Sequence, residues 1–398
     1  MKKRKICAAL AVIMALSGCG KAAENIPEAA VTETDLTSAS EIVQACTCTS
    51  AEQSLQPSET PRESETPYSE SEKVPTETEA EETISEADGK YDEEYVGLGY
   101  PTDDDLRDLA NYKNLKSLGL GLPLPEDTDF SLLNGLESLE RITLGGGGSP
   151  SYMNMYKLSD ARLPGLKSLT VWDEGFFSVA FFPESFPGLE SLDIYDCSIE
   201  DVNALGSLKN LNRLWLDNCE LNDISFVSGL DKLRIFSISN NFVVDISPLA
   251  GKASLEFLDI SGNPVGDRAG ETLKTLSNLA RLNTVCCGIG DISFLSGSPK
   301  LEELYLGGNP IDDISALGSL ENLQDLGLDG TLIDNVEPLR NLQNLWFLNL
   351  MNTDITDISP LAECSRLDMI ALHGTSVSAE DKAEFFKNNP DKREQNPG

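Results

Sequence analysis

The chain has 398 residues, two or three domains' worth at about 100–200 residues each. It carries 66 acidic and 30 basic residues, a formal charge of −36, and a single histidine. That balance excludes a nucleic-acid ligand, which needs a basic stripe, and docking on an anionic membrane by charge; the lone histidine removes most His-based catalysis and metal chemistry.

The charge divides along the chain: +4 over residues 1–18, −16 over 19–95 and −24 over the remainder. Apolar residues make up 40%, below the usual level of about 45–50%, as expected when a disordered part dilutes a globular one.

The amino terminus reads as an address. Lys2–Lys5 form a basic run and Ile6 to Leu16 an apolar run of 11 residues. A bilayer span needs about 20, so the run fits a secretory signal. Leu16-Ser17-Gly18-Cys19 follows at the right distance and resembles the bacterial lipobox. That resemblance implies removal of residues 1–18 and lipidation of Cys19, which becomes the first mature residue. The bland alternative is an ordinary signal peptide with an accidental cysteine.

Residues 19–92 continue as an acidic Ser/Thr/Pro/Glu tether, as in Pro57-Ser-Glu-Thr-Pro-Arg-Glu-Ser-Glu-Thr-Pro67. Large apolar residues are sparse and no period of 3.6 or 2 persists, so the segment cannot offset its ordering entropy and is expected to be disordered. As a neutral flexible coil, residues 20–92 would span roughly 45–50 Å, and like charges extend them further. The expected role is a spacer above the membrane, the alternative a solubilising tail. Cys46 and Cys48 are too closely spaced for a zinc pair with nothing opposite; they read as incidental thiols or an intermolecular disulfide.

A period of 22 organises the rest. The pattern L-x-x-L-x-L-x-x-N/C-x-L begins at Leu189, Leu211, Leu233, Leu255, Leu279, Leu301, Leu323, Leu345 and Leu367, with one step of 24. Upstream copies begin at Leu115, Leu139 and Leu166 at steps of 24, 27 and 23, and a degenerate copy covers 93–114. This predicts about thirteen coils over 93–377.

Each coil starts with a short strand. In Leu301-Glu-Glu-Leu304-Tyr-Leu306, Leu304 and Leu306 point into the core while Glu303, Tyr305 and Gly307 point out. Position nine holds Asn241, Asn263 and Asn309, or Cys197, Cys219 and Cys287, or Thr331, Thr353 and Thr375. A small polar group there turns inward to satisfy backbone groups at the bend. Back segments such as Asp245-Ile-Ser-Pro-Leu-Ala250 predict a 3₁₀ turn or short helix, with Asp as N-cap. No coil buries its leucines alone, so the coils must stack. Residues 103–112 are the expected first cap. Residues 378–398 are the expected last, a helix from Ser378 with Ala379, Ala383 and Phe386 on its buried face.

The 22-residue repeat with its N-x-I-x-D-I-S-P-L string resembles the bacterial leucine-rich-repeat surface proteins of the internalin type. The resemblance covers about 93–377. It implies an α/β solenoid, a leucine-rich-repeat arc with a parallel concave sheet and short 3₁₀ or helical back segments. It also implies a surface role in which the concave sheet binds a partner. The chain departs from the group in its lipobox, the absence of a C-terminal sorting signal and the absence of an immunoglobulin-like domain, so the host-adhesion role carries over weakly.

No arrangement carries catalysis, a cofactor or a metal. His373 has no Ser or Cys partner at motif spacing. Gly145–Gly148 lacks the strand–loop–helix with Lys and Ser/Thr of a phosphate cradle and reads as an insertion loop. The position-thirteen aspartates (Asp201, Asp223, Asp245, Asp267, Asp291, Asp313 and Asp357) read as caps, with Ca²⁺ ligation the alternative. Of the repeat cysteines, Cys197, Cys219, Cys286, Cys287 and Cys364, the first two stack in neighbouring coils, but parallel side chains suit a disulfide poorly, so free thiols are expected.

The outward strand positions are the candidate site. Trp172, Tyr195 and Trp215 come from successive coils, with Asp173, Asp193, Asp196 and Asp217 between them, and Phe257, Asp259 and Tyr305 extend the row. Trp and Tyr on an exposed face are typical binding anchors, although neighbouring rings could merely cover one another. The expectation is a lipid-anchored protein on the outer face of a bacterial cell membrane. Its acidic, aromatic face would meet a protein partner with a basic surface. A glycan or cell-wall polysaccharide is the second choice and an enzyme the last; contact with the membrane is through the Cys19 lipid only.

Overall fold

The computed structural model describes residues 90–121, 128–145, 155–172 and 175–395. The Cys19 lipobox, all but the last three residues of the tether, Asp173 and Gly146–Gly148 lie outside the described residues.

Alternating leucines make one short strand per coil. The strands are β1 (Tyr95–Leu98), β2 (Ser117–Leu120), β3 (Arg141–Leu144), β4 (Ser168–Trp172), β5 (Phe176–Ser178), β6 (Ser191–Tyr195), β7 (Ser198–Glu200) and β8 (Arg213–Asp217). They continue as β9 (Ile235–Ser237), β10 (Phe257–Asp259), β11 (Arg281–Asn283), β12 (Glu303–Tyr305), β13 (Asp325–Gly327), β14 (Phe347–Asn349), β15 (Met369–Ala371) and β16 (Arg393–Glu394). Fourteen of them form one open parallel sheet in chain order, while β5 and β7 pair separately. The sheet is the inner face of an α/β solenoid.

Pairing keeps the repeat in register: Leu282 faces Leu304, Leu304 faces Leu326, and Leu326 faces Leu348. Leu304 and Leu306 are fully buried, and a single hydrophobic cluster runs from Val96 to Phe385. Each coil shares its leucines with both neighbours, which is why the repeats are stable only as a stack.

The bend after each strand is stitched from inside. Asn309 Oδ1 accepts from Cys287 N and Ile289 N, both at 3.0 Å. Its Nδ2 donates to Thr284 O, Leu306 O and Gly307 O. Asn241 makes the same bridge between neighbouring coils. Thr331 and Thr353 each make a single bond, from Oγ1 to the carbonyl three residues back. The cysteines act as weak donors: Cys219 Sγ donates to Ile194 O at 3.4 Å and Cys287 Sγ to Ile260 O at 3.0 Å. None of Cys197, Cys219, Cys286, Cys287 and Cys364 is in a disulfide. Burial pushes the Cys287 thiol up to about 12 and the Cys364 thiol up to about 11, so both stay protonated and act as small packing groups.

The back of the coils carries 3₁₀ turns, such as Ser247–Leu249, Ser315–Ser319 and Ser359–Glu363. Asp223, Asp245, Asp291, Asp313 and Asp357 sit one residue further out than the N-cap, whereas Asp201 occupies the cap position itself without a side-chain cap bond. Asp245, Asp291, Asp313 and Asp357 each accept from the N–H two residues on, at 2.8–2.9 Å, and an isoleucine occupies the cap position itself. This Asx turn lets the isoleucine face the core while the carboxylate stays wet. The serine N–H and hydroxyl hold the carboxyls of Asp245, Asp291 and Asp313 below the usual range. Asp267 differs, accepting from Gly290 N and Asp291 N of the next coil.

At the first end, Thr102 caps α1 (Asp103–Asp108) in a reciprocal box with Asp105, and Leu106 and Leu109 close the core. Two further helices sit on the back, α2 (Phe182–Ser185) and α3 (Ala269–Leu273), the second taking up the 24-residue coil. The last helix, α4 (Ala379–Asn388), is capped by Ser378 as the sequence predicts. Its buried face differs from the expected one. Ala379 and Ala383 are exposed, whereas Phe385 is buried and Phe386 partly so. The larger aromatic pair covers the open leucines of the final coil better than two methyl groups would. The strand β16, which the repeat pattern does not announce, then pairs with β15 and lengthens the sheet. Among the described residues no helix is long and apolar enough to cross a membrane.

Candidate functional site: an aromatic row on the sheet

The outward side chains occupy the third, fifth and seventh positions of each coil. Register decides which of them meet. Trp172 faces Tyr195, and Tyr195 faces Asp217, all at position seven. Trp215 stands at position five opposite Asp193 and Ser237. Phe257 stands at position three. The rings therefore run diagonally across the strands rather than along one column.

The rings touch throughout. Trp172 stacks on Tyr195 with centroids 4.0 Å apart and an 18° interplanar angle. Tyr195 and Trp215 are 6.3 Å apart and tilted by 57°. Trp215 stacks on Phe257 at 5.6 Å and 13°. The expectation that neighbouring rings might cover one another is met in part. Yet Trp172 remains 45% exposed, and Tyr195, Trp215 and Phe257 are half-buried. The stack thus leaves a ring surface open to solvent at its outer end. Tyr305 does not join it. It lies on β12, with β11 between it and the coil of Phe257 and Asp259, and its ring occupies the space beside Gly327 that a side chain there would need.

Arg213, which the sequence reading missed, locks the centre. Its Nε donates to both carboxylate oxygens of Asp193 at 3.0 and 3.2 Å, and its guanidinium lies 4.7 Å from the Trp215 ring centroid. Alternation along β8 signals it, since Arg213 is two residues before Trp215 and shares its face. Cation–π contact and ion pair hold one guanidinium over the ring. The indole N–H of Trp215 is buried with no hydrogen-bond partner among the described residues.

Of the carboxylates on the face Asp193 is buried and Asp217 and Asp259 are half-buried, and they differ in their support. Burial pushes Asp193 up, opposed by Arg213. Asp217 is pushed up to about 6 by burial, although Ser237 Oγ (2.5 Å) and Ser239 N (2.8 Å) donate to it. Asp259 also rises through burial; it accepts from Ser261 N, Ser261 Oγ and Asn283 Nδ2 at 2.6–2.8 Å. Burial drives Tyr195 upward as well, and the charge of Asp193 adds to it. Asp196 faces Asn218 outside the row, accepting from its Nδ2 at 2.7 Å.

This arrangement offers flat apolar surface ringed by acceptors. His373 is exposed at the end of the last coil. Among the described residues, no three His, Cys, Asp or Glu side chains converge to hold a metal.

Residues 299–341 match the family model described as leucine-rich repeats (2 copies), and residues 251–274 one described as a leucine-rich repeat. Among solved structures, an internalin (inlF) from Listeria monocytogenes str. 4b F2365 is 25% identical with a TM-score of 0.54, over 68% of this chain and 88% of that one. An internalin C2 (inlC2) from the same organism is 30% identical with a TM-score of 0.39, over 40% of this chain and 69% of that one. A leucine-rich-repeat protein, LIC12759, from Leptospira interrogans is 16% identical with a TM-score of 0.46, over 75% and 93%. No curated protein matches the chain. The fold, the two matched segments and the first of these likenesses show a solenoid built of leucine-rich repeats.

Proposed function

We propose that this leucine-rich-repeat protein is an exported, lipid-anchored binding protein whose concave sheet takes a protein partner. The observation that carries the reading is the stacked row Trp172–Tyr195–Trp215–Phe257, held in place by Arg213 and left open at Trp172. A large aromatic surface with two rotatable side-chain torsions per ring is an efficient anchor, because little entropy is lost when a partner covers it. Asp193, Asp217 and Asp259 around the row favour a partner with a basic surface and steer it by charge.

Two experiments test this. Immobilised chain presented in parallel to a protein extract and to a glycan array separates the two ligand classes. A protein retained on the chain and released by about 0.5 M salt, where screening shortens to a few ångström, is the expected result; array binding without protein capture would replace it with the glycan reading. For the anchor, Cys19→Ala should abolish labelling by a fatty acid, since the thiol is the acyl acceptor in the lipobox reading; label retained by the variant would reject it.

A further inference from the structure

We propose that a lysine or arginine of the partner seats between Glu303, Tyr305 and Asp325, about 14 Å along the sheet from Phe257, the near end of the aromatic row. The distance is three strand steps, from β10 to β13, of about 4.8 Å each. This rests on the reading of the concave sheet as the binding surface.

Charge and hydrogen bonding on the face point to this place. At position three, Arg281, Glu303, Asp325 and Phe347 lie in register on successive strands. Arg281 is taken up by Glu303, with Nε 3.1 Å from Oε1. Every other carboxylate of the outward positions from β6 to β14 has a hydrogen-bond donor or an ion-pair partner: Asp193, Asp217 and Asp259 as described, Glu303 its ion pair with Arg281, and Asp329 a bond from Asn349 Nδ2 at 3.0 Å. Asp325 receives no hydrogen bond and no ion pair among the described residues, and it is half-buried. Its burial and the neighbouring Glu303 charge push its carboxyl up to about 6, with the Arg281 charge opposing. A half-buried carboxylate without a donor is costly in a folded protein and is relieved by an incoming cation.

The neighbouring side chain supplies a different kind of contact. The Tyr305 hydroxyl has no partner among the described residues, and its ring lies against Gly327, in the space a side chain would need; a Cβ there would sit 3.1 Å from the ring. A cationic head reaching Asp325 would meet two carboxylates and the Tyr305 hydroxyl, while its methylenes would lie along the rings of Tyr305 and Phe347. The chain's own acidic segment, net −16 over residues 19–95, is repelled from such a place, so the cation comes from another molecule. An extended segment rises about 3.3 Å per residue, so the basic residue lies about four residues from the apolar side chain that covers the Phe257 end of the row.

The test uses the full chain and two synthetic nonapeptides. Both carry one phenylalanine; four residues on, one has lysine and the other norleucine, which is as long but uncharged. Binding is followed by NMR titration up to millimolar peptide. The lysine peptide should bind about tenfold tighter than the norleucine peptide, a preference that shrinks with salt. Asp325→Asn should reduce that preference to about twofold or less and leave norleucine binding unchanged. Trp215→Leu, which keeps apolar volume at the ring position, should weaken both peptides alike. Equal binding of the two peptides, or a preference that survives Asp325→Asn, would overturn the cation seat while leaving the aromatic surface standing. If Trp215→Leu changes neither, or neither peptide binds, the concave-face reading falls with it.

Discussion

The stretches β8–β10 and β12–β14 come from the same repeat and differ in what they do with it. Inside they are alike: Leu214, Phe236 and Leu258 fill the positions that Leu304, Leu326 and Leu348 fill further on, all fully buried. Outside, the first stretch carries contacting rings and carboxylates that each have donors, whereas the second carries Asp325 with none. The bends differ too: Cys219, Asn241 and Asn263 follow β8, β9 and β10, whereas Asn309, Thr331 and Thr353 follow β12, β13 and β14, and the asparagines bridge two coils where each threonine makes a single bond. The repeat constrains what must stack and leaves the outer face free to vary, and specificity is written there.

The largest effects should come from breaking the shared interior. Leu304→Asp and Leu258→Asp should both unfold the neighbouring coils, because a buried unpaired carboxylate costs several kcal/mol. Glu303→Ala, one residue away and outward, should change stability by less than about 0.5 kcal/mol. Similar melting shifts for Leu304→Asp and Glu303→Ala would show that inside and outside are misassigned.

The bends give the next contrast. Asn309→Ala removes the partner of two N–H groups and of carbonyls in two coils, and should cost about 3 kcal/mol. Thr331→Ala loses one bond to Leu328 O and should cost about 1 kcal/mol. Chemical denaturation of the two variants would sharpen the comparison, and equal costs would break it.

The smallest effect concerns Asp325. Its carboxyl binds a proton more tightly folded than unfolded, since its value is raised from 3.8 to about 6. Folding therefore carries no penalty from it below about pH 4, and the full penalty only above about pH 6. Asp325→Asn should stabilise the protein at pH 7.5 by less than about 1 kcal/mol, given solvent screening. The gain should fade as pH drops through 6 toward 4. A gain that grows on acidification, in melting curves taken across this range, would contradict the assignment.

Much of the fold is legible in the sequence because the leucine period allows only one inward phase. The inward asparagines, cysteines and threonines follow from the same counting. The eighth position was not read, although it is just as periodic: Asn218, Asn240, Cys286 and Asn352 adopt positive φ there, as do Gly262, Gly308, Gly330 and Gly374. A left-handed residue turns each strand into its bend, and the Gly/Asn column was the available signal. The diagonal of the aromatic row was hidden for another reason. Which rings touch depends on rotamers across strands, so Tyr305 was assigned to a row it does not reach, while Arg213 was passed over although it organises the centre. The Asx turns were read one residue off because caps and Asx turns use the same aspartate.

The most direct test of the aromatic row as a binding surface is Trp172→Ala. Affinity for the protein captured by the wild-type chain and melting temperature should be measured side by side. Trp172 is the open end of the stack, so its loss should weaken binding by about 2 kcal/mol while moving the melting temperature by no more than about 2 °C. Trp215 is a poorer probe, since its contacts with Phe257 and Arg213 tie it to the fold. A variant that melts several degrees lower yet binds the partner as tightly as the wild type would mean that the rings serve packing alone, and the account would be wrong.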